Sequence, residues 1–238
     1  MIDTFINEEL LKHGYERYIP WKLTDPHALI VGSSGSGKSY ASLLLLSRLS
    51  LYLNDLRLVV CDYKGDNCFG FLEGQPNFYR YDKCVEGIDR FYEAFKLRQS
   101  GKDTCDNYHI MFIDEYSSLI LSLSKAEAEA LKAKIAQIMF MGRSMHFLLI
   151  VSMQRCDSSY FPNGARENFS MTICVGSMAP ELRDMAFYNF KEAVKAPKQR
   201  GHGYLLMNGT NLYHILIPEI TSMQKVKLCI LKTIGNIE

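Results

Sequence analysis

The stretch Gly32-Ser33-Ser34-Gly35-Ser36-Gly37-Lys38-Ser39 decides the fold of this chain. It matches G-x-x-x-x-G-K-[S/T], a pattern whose glycines let successive backbone N–H groups turn onto phosphate oxygens. The apolar run 27–31 before it predicts a buried strand, and the leucine-rich run 40–53 after it predicts a helix. This order predicts a phosphate-binding site, because the helix N-terminus adds partial positive charge, and it disfavours a chance turn rich in Gly and Ser.

The same loop predicts the contacts to a nucleotide and its metal. Lys38 is expected to reach the β- and γ-phosphates, and the Ser39 hydroxyl is expected to ligate Mg²⁺. The nucleotide-binding residues predicted from the motif are Gly32, Ser33, Ser34, Gly35, Ser36, Gly37, Lys38, Ser39 and Tyr40.

A second motif is the run Ile110-Met111-Phe112-Ile113-Asp114-Glu115, a predicted buried strand that ends in two carboxylates. Parallel sheets place their chemistry at the carboxyl ends of the strands, so both acids are expected to face the loop. Asp114 is predicted to hold the Mg²⁺ shell, and Glu115 is predicted to orient or deprotonate the attacking water. Two ordinary acids at a strand end are the alternative, which the complete loop disfavours.

The composition is that of an ordinary globular chain, with 238 residues, 47% apolar and 22% charged, and a net charge of +1. This balance excludes a strongly basic surface as a global property, so nucleic-acid binding would need a local patch or several subunits. Seven scattered cysteines without Cys-x-x-Cys spacing predict free or buried thiols in a reducing cytoplasm. We find no basic signal-peptide start and no apolar run of membrane-spanning length, and therefore expect a cytoplasmic protein.

Alternating strand and helix patterns predict βαβ units and a mainly parallel sheet flanked by helices. Further strands are predicted at 58–61, 110–113, 147–151 and 171–175. Helices are predicted around 85–95 and, from a capping box of Ser124 and Glu127, to about 140. A terminal β-hairpin is predicted at 204–207 and 212–217, around Asn208-Gly209. Near the start, a short helix is expected around 5–11 and a strand near 18–23.

Four further stretches surround these motifs in a fixed order: Asp25-Pro26-His27, Asp62-Tyr63-Lys64-Gly65, Gly142-Arg143 followed by Gln154-Arg155, and Gly201-His202-Gly203. Their order and spacing resemble FtsK/SpoIIIE-type DNA translocases of the wider FtsK–HerA group, and the second stretch is also similar to conjugative coupling proteins. The resemblance covers roughly residues 25–217. It implies a RecA-like P-loop ATPase domain at 25–238, after an N-terminal extension at 1–24. Cys156 departs from the proline that the family has after Gln-Arg.

The resemblance implies two more catalytic residues. Gln154 would sense the γ-phosphate or the attacking water, and Arg143 would act on a neighbouring subunit's nucleotide as an arginine finger. Arg155 and Arg166 are rival finger candidates. A plain polar strand end and a solvated helix end are the simpler interpretations of Gln154 and Arg143. The resemblance also implies ATP, Mg²⁺ and a homo-oligomer, in particular a hexameric ring.

DNA is the partner that the resemblance implies, and the sequence offers one basic segment for it. The segment holds Lys191, Lys195, Lys198 and Arg200, with Tyr188 and Phe190 nearby. It could line the pore of a ring, with the aromatic rings stacked on bases; a solvated charged face and core packing are the simpler interpretations. A relaxase or a membrane partner would fit a conjugative role.

We therefore expect an ATP-driven DNA translocase or DNA-transfer motor of a plasmid, conjugative element or phage. The first alternative is a phage or viral packaging or assembly ATPase of the same superfamily. The second is a nucleotide-switched binding module with slow hydrolysis, which the presence of Glu115 and Gln154 disfavours.

Overall fold

The computed structural model describes residues 1–194 and 199–235, and within them ten strands form a single mixed sheet. The strands are β1 (Ile2–Asn7), β2 (Tyr18–Trp21), β3 (Ala28–Val31), β4 (Arg57–Asp62), β5 (Phe78–Arg80), β6 (His109–Asp114), β7 (Phe147–Met153), β8 (Met171–Val175), β9 (His202–Met207) and β10 (Asn211–Leu216).

Helices cover both faces of this sheet because the central strands are apolar on both sides. They are α1 (Glu8–Lys12), α2 (Lys38–Tyr52), α3 (Lys83–Gln99), α4 (Tyr116–Ser122), α5 (Lys125–Met141), α6 (Pro180–Ala186) and α7 (Met223–Ile234). Side chains alternate along β3: Ala28 and Ile30 join the core of α2 and α7, whereas Leu29 and Val31 join the core of α3, α4 and α5. This two-sided burial is typical of a parallel sheet in an α/β protein.

The strand order places the loop and the acids at one edge of the sheet. The order is β2-β1-β10-β9-β8-β3-β7-β6-β4-β5, and the six strands from β8 to β5 are parallel. The four strands from β2 to β9 are antiparallel. The predicted α/β fold with a mainly parallel sheet is therefore confirmed, and the carboxyl ends of β3, β4, β6 and β7 meet at one edge.

The predicted central elements are confirmed to within a few residues, including the capping box, in which the Ser124 side chain accepts the Glu127 N–H. The hairpin turn is also confirmed, with positive φ at Asn208 (53°) and Gly209 (67°). The hairpin does not end the fold, however, since α7 follows it and packs against α2. β5, α4 and α6 were not predicted.

The helix predicted around residues 5–11 was wrong in its first half. Residues Ile2–Asn7 form β1, which pairs antiparallel with β10 and with β2, and α1 begins only at Glu8. Asn7 ends the strand and caps the helix, because its side chain accepts the N–H groups of Glu9 and Leu10. Strands β1 and β2 thus extend the sheet on the side of the hairpin.

His27, directly before β3, ties three elements together. Its side chain is fully buried, and its backbone has a φ of 61°. Nδ1 accepts the Leu149 N–H of β7 at 3.0 Å, and Nε2 donates to the Met139 carbonyl of α5 at 3.2 Å. The ring is therefore neutral with its proton on Nε2. Burial lowers the pKa of His27 to about 4, although the bond to Met139 opposes the shift.

Within the part of the chain that the structure describes, no helix combines the length and the apolar character needed to cross a bilayer. All seven cysteines are unpaired, as their scattered spacing predicts.

Candidate nucleotide-binding and catalytic site

The phosphate-binding loop connects β3 to α2, and two of its glycines are required by its geometry. Gly37 caps α2 with a φ of 106°, a conformation that side chains rarely adopt. A Cβ at Gly32 would lie 2.6 Å from the Val175 carbonyl oxygen, so a side chain is excluded there. The loop therefore approaches the end of β8 closely and then opens the fifteen-residue helix α2 with free N–H groups.

Lys38 is a buried cation inside this loop. Its Nζ donates to the carbonyl oxygens of Gly32 at 2.7 Å and Ser33 at 3.2 Å. Burial lowers the pKa of Lys38, while the negative charges of Glu115 and Asp114 oppose the shift. A buried ammonium group in the first turn of a helix fits an anionic ligand such as a phosphate chain.

The two predicted acids lie at the carboxyl end of β6, as the motif predicts. Asp114 is 2% exposed and stands beside Asp62 of β4 in the parallel pairing. Burial raises the pKa of Asp114 to about 6, and the charges of Asp62 and Glu115 add to the shift. Glu115 is 5% exposed and begins α4 in the left-handed region, with φ 56° and ψ 46°.

One cavity of about 420 Å³ brings the loop and the acids together. Its lining includes Lys38, Ser39, Asp114 and Glu115, and the other residues are Ser33, Gly35, Gly37, Tyr40, Leu43, Lys64, Asp66, Cys68, Arg200 and Met223. The cavity lies where the chain passes from β3 to α2, outside the carboxyl ends of the parallel strands. This location is typical of nucleotide sites in α/β proteins.

Three charged cavity residues were missed as site residues: Asp66, Lys64 and Arg200. The Ser39 hydroxyl donates to Asp66 Oδ2 at 2.9 Å. Burial opposes ionisation of Asp66, but the Cys68 N–H and the Ser39 hydroxyl outweigh it and lower its pKa. Lys64 and Asp66 belong to the turn after β4, so their nearness to a strand end was the available signal.

Tyr40, predicted to bind the nucleotide, connects this cavity to the C-terminal part of the chain. Its ring lines the cavity, and its hydroxyl accepts the Ile220 N–H and lies 3.5 Å from the Pro218 carbonyl. Residues 218–220 link β10 to α7, and Met223 of α7 lines the same cavity. Helix α7, which the sequence analysis did not predict, therefore contributes Met223 to the wall of the site.

Gln154 lies beside the acids but not in the cavity of Lys38. It is exposed at the end of β7 and lines a second cavity of about 410 Å³ with Tyr63, Lys64, Tyr81, Asp82, Glu115 and Ser118. Lys64 and Glu115 line both cavities, so Gln154 shares a cavity with Glu115 but not with Lys38.

Arg143 lies far from the nucleotide cavity. It is exposed in the short turn Gly142–Met145, which precedes β7, whereas the phosphate-binding loop follows the parallel strand β3. Seven residues of β7 separate the two edges, a span of about 20 Å. Of the rival arginines, Arg155 is exposed just beyond β7, and Arg166 donates to the Cys156 carbonyl at 3.0 Å.

The basic segment proposed for DNA divides between several places. Lys191 Nζ lies 3.2 Å from the Asp184 carboxylate and 4.6 Å from the centre of the Tyr188 ring, while Arg200 lines the nucleotide cavity. Tyr188 is 70% exposed, so the interpretation of its ring as core packing was wrong, whereas half-buried Phe190 does pack on the core. Lys195 and Lys198 lie outside the described residues.

The donor set of the site fits Mg²⁺ that arrives with phosphate groups. The Ser39 hydroxyl and the Asp114 carboxylate are the hard oxygen ligands that Mg²⁺ prefers. Among residues 1–194 and 199–235, no group of three or more His, Cys, Asp or Glu could hold a metal ion by itself. Mg²⁺ is usually held by one or two carboxylates together with phosphate oxygens and water, which this arrangement allows.

Two solved structures share the architecture. The cytoplasmic domain of the type VII secretion ATPase EccC of Thermomonospora curvata has a TM-score of 0.70 at 19% identity, covering 98% of this chain and 30% of that one. The pCW3 conjugation coupling protein TcpA, in its monomer form with ATPγS, has a TM-score of 0.67 at 17% identity, covering 90% of this chain and 64% of that one. At these identities the likeness concerns the fold.

The fold and the site define a P-loop nucleotide-binding protein. The family model of the central domain of the helicase HerA matches residues 17–129. The FtsK domain-containing protein YdcQ of Bacillus subtilis (strain 168) is 26% identical over 205 residues, which cover 79% of this chain and 42% of YdcQ. Together these matches support an FtsK–HerA superfamily ATPase, and the chain spans less than half the length of YdcQ.

Proposed function

We propose that this chain hydrolyses ATP with Mg²⁺. The observation that carries the proposal is one cavity lined by Lys38 and Ser39 from the loop and by Asp114 and Glu115 at the carboxyl end of β6. Phosphoryl transfer to water requires a cation that binds phosphate oxygens, a metal ligand and a buried acid beside the metal ligand.

Each side chain has a separate task in this proposal. Lys38 binds the β- and γ-phosphates, and Ser39 and Asp114 hold Mg²⁺, which when bound neutralises charge on the phosphate oxygens. Glu115 accepts the proton of the attacking water, because it is a carboxylate at the wall between the two cavities. Gln154, in the second cavity beside Glu115, orients that water or senses the γ-phosphate.

The hydrolysis drives movement of DNA through a homo-oligomeric ring, hexameric by resemblance. The sequence similarity to the FtsK–HerA superfamily and the fold likeness to a conjugation coupling protein support this proposal. Exposed Tyr188 with Lys191 against its ring offers an aromatic and a cationic group for a nucleic acid. Arg143 completes the nucleotide site of the next subunit, since it cannot reach its own. In this proposal residues 25–238 form the motor domain and 1–24 an extension.

Protein transport is a second candidate, because the fold is also similar to that of a type VII secretion ATPase. The net charge of +1 does not favour DNA over a polypeptide substrate. The two candidates differ in what stimulates hydrolysis.

The test is the ATPase rate of the purified chain alone, with single-stranded DNA and with double-stranded DNA, beside Lys38→Ala as a control. Hydrolysis that is stimulated by DNA and absent in the control supports the DNA motor. Hydrolysis without a response to either DNA points to the protein-transport candidate, and a Lys38→Ala rate equal to that of the wild type would refute the enzymatic proposal.

A further inference from the structure

The Ser39 hydroxyl, the expected metal ligand of the loop, already has a carboxylate partner. Its Oγ donates to Asp66 Oδ2 at 2.9 Å, and both residues line the nucleotide cavity. A serine hydroxyl has one proton to donate and two lone pairs to accept with. Because the Ser39 hydroxyl donates its proton in the hydrogen bond to Asp66, the lone pairs of its oxygen remain available for a metal ion in the cavity.

Further hydrogen bonds fix the position of Asp66. Its N–H donates to Asp62 Oδ1 at 3.0 Å, and its carbonyl accepts from Arg80 Nη2 at 2.9 Å. Its second carboxylate oxygen, Oδ1, accepts the Cys68 N–H at 3.0 Å. Every polar group of Asp66 is therefore bonded, and only Oδ2 remains for Ser39.

Asp62 and Arg80 form the base of this arrangement. Arg80 Nε donates to Asp62 Oδ2 at 3.0 Å, and Asp62 is fully buried at the end of β4. Arg80 belongs to β5, which pairs with β4 at this position. The orientation of Asp66 is thus set by two paired strands, rather than by its own turn alone.

We propose that Asp66 is a positioning residue for Mg²⁺. Asp66 acts through Ser39, and it is held in place by Asp62 and Arg80. The inference rests on the proposed function. A carboxylate that accepts the proton of a ligating group fixes the orientation of that group and makes its oxygen a better donor to the metal. Loss of such a partner lowers metal affinity by about 10- to 100-fold.

The competing arrangement is that Asp66 itself ligates the metal. The two arrangements differ in whether the effect of the Asp66 carboxylate on Mg²⁺ affinity requires the Ser39 hydroxyl. A mutant cycle measures this dependence directly, because an effect transmitted through Ser39 vanishes when the hydroxyl is removed.

The experiment measures binding of a fluorescent ATP analogue as a function of Mg²⁺ concentration, and separately in EDTA. The variants are Asp66→Asn, Ser39→Ala and the double variant, in the full chain. Asn keeps the cap on the Cys68 N–H and the side-chain size but loses the charge. We expect Asp66→Asn to need about 10- to 100-fold more Mg²⁺, with unchanged affinity in EDTA, and to have no further effect in the Ser39→Ala background.

Glu73→Gln is the matched control, since Glu73 pairs with the opposite side of Arg80 and is far more exposed than Asp62. It should leave the Mg²⁺ dependence unchanged. An undiminished effect of Asp66→Asn in the Ser39→Ala background would overturn the inference in favour of direct ligation, and no effect at all would overturn both. If the wild-type chain shows no Mg²⁺-dependent nucleotide binding, the proposed function itself fails.

Discussion

Glu115 occupies a conformation that few glutamates adopt. With φ 56° and ψ 46° it lies in the left-handed region, which costs an L-residue about 1–2 kcal/mol. Asp114 ends β6 and Tyr116 begins α4, so the chain changes from strand to helix at this one residue. Strain of this kind persists only where the surrounding structure imposes it, and it clusters at functional sites. The backbone therefore supports a chemical role for Glu115.

We expect Lys38→Ala to weaken nucleotide binding by about 10- to 100-fold, because a hydrogen bond to a charged group contributes about 1.5–3 kcal/mol. The fold should persist, since the loop keeps its glycines. Isothermal titration with ATPγS checks the affinity and circular dichroism checks the fold. Lys102→Ala, which changes an exposed lysine after α3, is the control. Affinity equal to the wild type in Lys38→Ala would exclude the phosphate-binding role.

Glu115→Gln should still bind ATP but hydrolyse it about 10²- to 10⁴-fold more slowly, because the amide keeps the shape and cannot accept the proton. Binding and single-turnover rates of the same preparation separate the two effects. If affinity fell while the turnover number stayed unchanged, Glu115 would belong to binding, and the assignment of the general base would be wrong.

The sequence predicts those parts of the site that lie within one short stretch. The loop around Lys38 and the strand end at Asp114 carry their signal in consecutive residues, and the structure brings both into one cavity. Asp66 and Arg200 do not belong to such a stretch. The position of Asp66 after β4 was its only signal, and its bond to Ser39 depends on the order of the strands. Arg200 reaches the cavity from a distant part of the chain, so only the tertiary structure identifies it.

At the scale of elements, local patterns explain which strands and helices were predicted. Buried strands such as β8 show as apolar runs, and the α5 capping box is explicit in the sequence. β5 has only three residues, too few for any period, and β1 pairs with a strand at the other end of the chain. α7 was missed although Ser222 caps it and apolar residues recur every four positions, so its signal was present.

The contacts of His27 predict a pH dependence of stability. Its pKa is about 4 in the folded state and about 6.5 when unfolded, so the unfolded chain binds the proton first. Stability from His27 is fully present above about pH 6.5 and is lost as the pH falls towards 4, by about 3 kcal/mol in total. His109, whose pKa burial and Arg98 also lower to about 4, adds in the same direction.

We therefore expect His27→Asn to reduce the slope of unfolding free energy against pH between 6.5 and 4. Asn tolerates positive φ and can both donate and accept, so it suits the position without titrating. Urea unfolding at a series of pH values measures the slope. His13→Asn, at an exposed histidine, is the control and should leave it unchanged. A slope in His27→Asn equal to the wild-type slope would contradict the prediction.

For the whole molecule, the position of Arg143 decides how the site can be completed. Because Arg143 precedes β7 whereas the phosphate-binding loop follows the parallel strand β3, the catalytic role proposed for Arg143 requires the nucleotide of another subunit. Turnover per subunit should then rise with protein concentration, which a monomeric enzyme would not show.

Arg143→Ala should bind ATP nearly normally and lose about 10³- to 10⁵-fold in rate, since a finger acts on transition-state charge. Mixed with Lys38→Ala at equal amounts, about one quarter of head-to-tail interfaces pair an intact loop with an intact finger. ATPase rates across mixing ratios should therefore show recovery above either variant alone. Full activity of Arg143→Ala by itself would show that the finger is Arg155, Arg166 or absent.

The pairing of β1 with β10 has a consequence for how the protein is made. Ile6 pairs with Leu216, so β1 can pair with its neighbour β2 early but meets β10 only after roughly 200 more residues, about 10–40 s of synthesis. During that interval the side of β1 that β10 covers in the finished sheet is open to other nascent chains. The parallel strands can associate as they emerge, whereas β1 docks onto the sheet only once β10 has been made. Newly made chains are thus most prone to aggregate through the open edge of β1.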